Sequence, residues 1–175
     1  MTDIPDDEPG TLFQLDSDAY QLTRDDCYTP RWVFDAMGLI FDIDVAAPYG
    51  GPWYVPARAY FTADDDGLTQ PWNGLAWCNP PYSNYAPWAD RFARHDRAAL
   101  MGACVPEVKW LPVVFDAADA IAFISCDFIR PDRKAVRLRQ QVFVAFRGVG
   151  TEPARRLASA DPYGAAMYGP NGASP

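Results

Sequence analysis

The tetrapeptide Asn79-Pro80-Pro81-Tyr82 directly follows the short apolar run Leu75-Ala76-Trp77-Cys78. A run of this length bounded by turn residues reads as a buried strand. Proline lacks a backbone N–H and has its φ locked, so two in succession cannot continue a central ladder. The strand must therefore stop at Asn79. That puts the polar groups of the tetrapeptide at the carboxyl end of a buried strand, where ligands gather in open α/β sheets.

The surrounding pattern alternates. Thr29-Pro30 predicts a helix start, with Thr as cap and Pro at the first helical position. That helix carries Trp32, Val33, Phe34 and Met37 and can end at Gly38. Residues 39–45 predict a strand whose end holds Asp44, followed by the small residues Ala46 and Ala47. Residues 53–61 are ambiguous and hold at most a short strand. A helix near 85–97 places Trp88, Ala89, Phe92 and His95 on one face. Residues 100–105 predict a further strand, Pro112 opens a short helix through Asp119, and 121–129 and 142–146 close the body as two strands. The expected fold is α/β: an open, mostly parallel sheet whose last two strands can pair as a hairpin.

The 175 residues suffice for one domain. Residues 1–24 read as a polar lead-in, 25–147 as the compact body, and 148–175 as a disordered tail rich in Gly, Pro, Ala and Ser. No apolar run reaches the ~18–20 residues of a membrane span, and the acidic first residues do not read as a leader. Cys27, Cys78, Cys104 and Cys126 show no C-x-x-C spacing, which predicts reduced thiols in a cytoplasmic interior. With a single histidine, His95, read as packed or capping, no metal centre is expected.

The net charge of −8 argues against a protein that holds nucleic acid by overall charge. The charge is uneven, however. Residues 130–147 carry Arg130, Arg133, Lys134, Arg137, Arg139 and Arg147 against Asp132. Local potential governs docking on phosphates, so this stretch is the candidate nucleic-acid contact, with a solvated basic loop as the plain alternative.

The tetrapeptide suits one chemistry. The exocyclic nitrogen of adenine is a poor nucleophile because its lone pair is delocalised into the ring. Two acceptors aimed at its two N–H groups favour a pyramidal nitrogen and localise that pair. The side-chain oxygen of Asn79 and the carbonyl of Pro80 can serve as those acceptors. The paired prolines fix the carbonyl beforehand, and Tyr82 offers an aromatic face to a base taken out of the duplex.

Asn79-Pro80-Pro81-Tyr82 matches the motif of amino-group methyltransferases that use S-adenosylmethionine. The wider series is Tyr28-Thr29-Pro30 with Val33-Phe34, Asp44-Val45-Ala46-Ala47, Tyr60-Phe61, Asp65-Asp66-Gly67-Leu68, Trp72, and Trp77 through Ser83. Pro87-Trp88, Pro106 and Lys109-Trp110 continue it. The series resembles the phage-type DNA N6-adenine methyltransferases, most clearly across residues 26–90. The resemblance implies a Rossmann-like fold, a reduced, mostly parallel sheet with helices on both faces. It also implies S-adenosylmethionine as cofactor and duplex DNA with a flipped adenine as partner. Tyr28, Thr29 and Pro30 would lie near the methionine end of the cofactor, Asp44 and Ala46 at its first loop, and Asp66 at its adenine. Asn79, Pro80, Pro81 and Tyr82 would handle the target base.

The glycine-rich loop usual after the first strand is replaced by Ala46-Ala47. That keeps open a methyltransferase-like protein that binds DNA without catalysis. An RNA adenine or a side-chain amide is also chemically compatible with the motif.

Overall fold

The computed structural model describes residue 25 and residues 27–105, 107–137 and 141–168. The lead-in over 1–24, Pro106, Arg139 and the end of the tail over 169–175 lie outside the described residues. No helix among the described residues is long and apolar enough to cross a membrane.

The core is a six-stranded sheet in the order β1-β2-β3-β7-β4-β8. Its strands are β1 (Ile43–Asp44), β2 (Ala76–Cys78), β3 (Ala98–Ala103), β4 (Ala120–Ile124), β7 (Val142–Arg147) and β8 (Ala165–Tyr168). A separate hairpin of β5 (Asp127–Ile129) and β6 (Ala135–Arg137) is inserted between β4 and β7. The expectation of a mostly parallel sheet needs correction. β1 pairs β2 and β2 pairs β3 in parallel, but the pairs β3–β7, β4–β7 and β4–β8 are antiparallel. Helices link β2 to β3, β3 to β4 and β7 to β8, but β7 inserts between β3 and β4 and runs against both. The chain enters β7 through the inserted hairpin, and β8 lies in the segment read as disordered.

Helices cover both faces, as the alternation along the strands requires. Trp77, Ala99, Met101 and Val144 point to one side, where they pack with Val33, Phe34 and Met37 of α1 (Arg31–Met37) and Ala154 and Leu157 of α4 (Glu152–Ala160). Ala76, Cys78, Leu100 and Phe143 point to the other, against Trp88, Ala89 and Phe92 of α2 (Ala86–Arg94) and Val114 of α3 (Trp110–Ala117).

Two local readings change. Pro30, not Thr29, is the residue before α1, and no side chain caps that helix, whereas Gly38 ends it as expected with φ 66°. The tail is ordered at least to Tyr168. α4 buries Pro153, Ala154, Leu157 and Ala158, and β8 pairs with β4. These sit at helical spacing, but Leu157 is the one bulky apolar side chain among them, so the Gly, Pro, Ala and Ser composition dominates the reading of this stretch. Buried Asp161 joins the two elements to the sheet: its carboxylate accepts from the backbone N–H groups of Ser125 and Tyr163.

Candidate active site

Parallel pairing of Ile43 with Ala76 and Asp44 with Trp77 brings the ends of β1 and β2 to the same edge. The bond from Val45 N to the Trp77 carbonyl (3.0 Å) carries this alignment one residue further. Residues 57–61 flank β1 on its other side: Asp44 N donates to Ala59 O (2.9 Å) and Phe61 N to Asp44 O (2.8 Å).

Asp44 is 2% exposed. Its Oδ1 accepts one backbone bond, from Ala46 N at 3.1 Å. Burial raises its pKa to about 7, partly offset by that bond. A carboxylate so poorly satisfied in the interior favours a positive group beside it. Ala46 thus uses its N–H on Asp44, and Gly67 lets the 65–68 loop approach the backbone at this strand end closely. A Cβ on Gly67 would lie 2.0 Å from the Val45 carbonyl oxygen. This contact brings the 65–68 loop against the end of β1. Asp66 is exposed with φ 53°, and its carboxylate accepts from Leu68 N (3.3 Å). Trp72 anchors the loop by donating to Gly67 O (2.8 Å) and is stacked on Trp88. Both tryptophans are buried, so neither offers a free face to a base.

At the end of β2 the Asn79 amide is held by its nitrogen. Nδ2 donates to Cys27 O (2.9 Å) and to Thr29 Oγ1 (3.2 Å). Oδ1 is buried and has no hydrogen-bond partner among the described residues. Leaving such an acceptor unfilled costs about 1–3 kcal/mol. Pro80 is buried and Pro81 half-buried, and Pro81 leads into a 3-10 turn over Tyr82–Asn84. Tyr82 packs one face on Tyr85 (6.1 Å, 19°), and Tyr85 stacks in turn on Trp110 (4.0 Å, 29°). Phe128 also meets the Tyr82 ring, at 6.3 Å and 81°. The Tyr82 hydroxyl is also buried without a partner among the described residues, and burial raises its pKa.

Asp25 and residues 27–29 cross this turn. Asp25 accepts from Ser83 N (3.0 Å) and Ser83 Oγ (2.6 Å). Tyr28 exchanges backbone bonds with Ile129 of the β5–β6 hairpin (2.8 and 2.9 Å) and lays its ring against Trp53 (4.8 Å). Thr29 and Pro30 are buried beside it.

The hairpin brings the candidate cations next to that segment, but they differ. Arg137 is paired with Asp127 through two bonds of 2.5 and 3.0 Å, and Lys134 with Asp132 at 3.3 Å. Asp127 lies just before the basic stretch, so the local excess is smaller than counted. Arg130 is half-buried, with an unpartnered Nε. Arg133, exposed at the turn with φ 60°, makes no ion pair among the described residues.

Two open depressions lie elsewhere. One of about 590 Å³ is bordered by Phe34, Ile40, Trp53 and Tyr54. The other, of about 580 Å³, is bordered by Trp72, Arg91 and His95. Neither is lined by Asn79, Tyr82 or Asp44.

With this arrangement in view, comparison with known proteins is decisive on one point. The family described as DNA N-6-adenine-methyltransferase (Dam) matches residues 16–146. The chain belongs to this family. No curated protein and no solved structure gives a significant match. The Dam match ends within β7, so α4 and β8 lie beyond it. It begins before the body expected at residue 25.

Three features of the candidate site are not legible in the sequence: the Asp25 contact with Ser83, the Cys27 carbonyl as an acceptor, and Met101 beside Thr29. Each is a contact over 50 or more residues of chain. No local pattern signals such a contact.

Proposed function

We propose that the chain transfers a methyl group from S-adenosylmethionine to the N6 amine of adenine in DNA. The observation that carries this reading is the Asn79 amide, its nitrogen tied down and its oxygen buried without a partner. When bound, S-adenosylmethionine supplies an electrophilic methyl group on a sulfonium. Asn79 Oδ1 takes one N–H of the target amine and the Pro80 carbonyl the other. The amine nitrogen then pyramidalises and regains a localised lone pair. Both acceptors are fixed in advance, so little reorganisation is needed during the reaction. Oδ1 is closed to water in the conformation described, so an entering base must displace what covers it.

The surroundings fit a cationic cofactor. Asp44, buried with one hydrogen bond from Ala46, gains an electrostatic partner when a positive ligand lies at the end of β1. Asp66 stands on the loop that Gly67 packs against Val45, where its carboxylate can take a ribose or adenine edge. Tyr28 and Pro30 border the same segment as Thr29. Arg133, with Arg130, Lys134, Arg137 and Arg139, supplies phosphate contacts, and Arg133 is exposed with no ion pair among the described residues.

The test offers purified protein labelled S-adenosylmethionine with duplex DNA, structured RNA and unfolded protein in parallel. Label entering DNA adenine supports the proposal. Label entering only RNA or protein redirects it to those substrates. Binding of DNA without cofactor affinity would favour the non-catalytic alternative raised by Ala46-Ala47.

A further inference from the structure

We propose that Thr29 is a positioning residue that sets which way the Asn79 amide faces. The inference rests on the methyl-transfer reading and assigns Thr29 a role in it other than cofactor contact. An asparagine amide is nearly symmetric in shape, and its two ends differ only in donor and acceptor character. The orientation that matters here, with the nitrogen bonded and the oxygen left unbonded, must be imposed by neighbours.

Two neighbours impose it. The Cys27 carbonyl at 2.9 Å can only accept, so it selects the nitrogen. The Thr29 hydroxyl at 3.2 Å could act either way. Its proton, however, is directed to Met101 Sδ (3.2 Å), a weak acceptor on β3. With its hydrogen turned to the sulfur, Thr29 Oγ1 presents a lone pair to Asn79 Nδ2. Thr29 is 5% exposed, so water cannot replace either partner readily. The chain Asn79 Nδ2–H to Thr29 Oγ1–H to Met101 Sδ holds both N–H groups inward and leaves Oδ1 for the target amine. Thr29 does not cap α1, which frees its hydroxyl for this task.

Thr29→Val keeps the shape and removes the hydroxyl. One Asn79 N–H is then left without an acceptor, and the amide loses part of its directional bias. The measurement compares wild type, Thr29→Val and Thr29→Ser in methyl transfer to duplex DNA, alongside S-adenosylmethionine affinity by titration. Thr29→Val should lower kcat on the order of tenfold, with cofactor affinity and KM for DNA unchanged. Thr29→Ser, which restores the hydroxyl, should recover most of that loss. Wild-type kcat in Thr29→Val overturns the inference. So does a loss confined to cofactor affinity, which would make Thr29 a cofactor contact. A Thr29→Ser variant as impaired as Thr29→Val also overturns it, since the defect would then come from packing. If wild type transfers no methyl to DNA, the underlying reading fails, a different result from any of these.

Discussion

Asp44 and Asp161 are both buried acids in the same sheet protein, yet they stand in opposite states. Asp161, in the antiparallel half, has both carboxylate oxygens filled by backbone N–H groups, and it ties α4 and β8 to the sheet. Asp44, in the parallel half, has a single backbone bond and a pKa raised to about 7. Two residues past its neighbour Trp77 stands Asn79, with its own unfilled oxygen. Burial with full satisfaction builds structure. Burial with a missing partner is costly, and at the end of a strand it marks a place prepared for something else.

The contrast breaks first at Asp161. Asp161→Ala strands the N–H groups of Ser125 and Tyr163, so unfolding free energy should fall by about 2–4 kcal/mol. Denaturant titration measures it. Methyl transfer per folded molecule should be unchanged, and a loss of kcat at full folding would make the two halves functionally inseparable.

Asp44 should behave in the reverse sense. Its folded pKa lies above the ordinary value of 3.8. Between roughly pH 4 and 7 the folded state therefore holds a proton that the unfolded state has lost. Stability from this group is greatest at low pH, declines through that window, and is flat above it. Asp44→Asn removes the titration. The variant should match wild type near pH 4 and exceed it at pH 8 by about 4 kcal/mol, while binding S-adenosylmethionine more weakly. Parallel stability curves across that range would show that Asp44 is satisfied after all.

The smallest effect separates two arginines of the hairpin. Arg133→Ala should reduce the slope of log affinity against log salt for DNA by about one. Arg137→Ala should change it much less, because Asp127 already occupies that guanidinium. Equal changes would mean that the ion pair opens when DNA binds.

The parallel half was far more legible in the sequence than the antiparallel half. Trp77-Cys78 followed by two prolines fixes a strand and its end from local chemistry alone. Gly38 marks the end of α1, and Trp88, Ala89 and Phe92 declare the buried face of α2. α4 was missed because Ala154 and Ala158 are too small to stand out and Gly and Pro surround it. The antiparallel direction of β7 follows from the inserted β5–β6 hairpin, which 121–129 hides within a single apolar run. In the site itself, Asn79 and Asp44 were readable because strand ends are. The groups that orient Asn79 were not, since Cys27 contributes only a backbone carbonyl and Met101 a sulfur reached across the sheet.

The most direct measurement is nucleoside mass spectrometry of duplex DNA after incubation with S-adenosylmethionine and either wild type or Asn79→Ala. Wild type should leave N6-methyladenine, and the variant should form it at least a hundredfold more slowly while staying folded and binding the cofactor. N6-methyladenine formed at the same rate by Asn79→Ala would contradict the account.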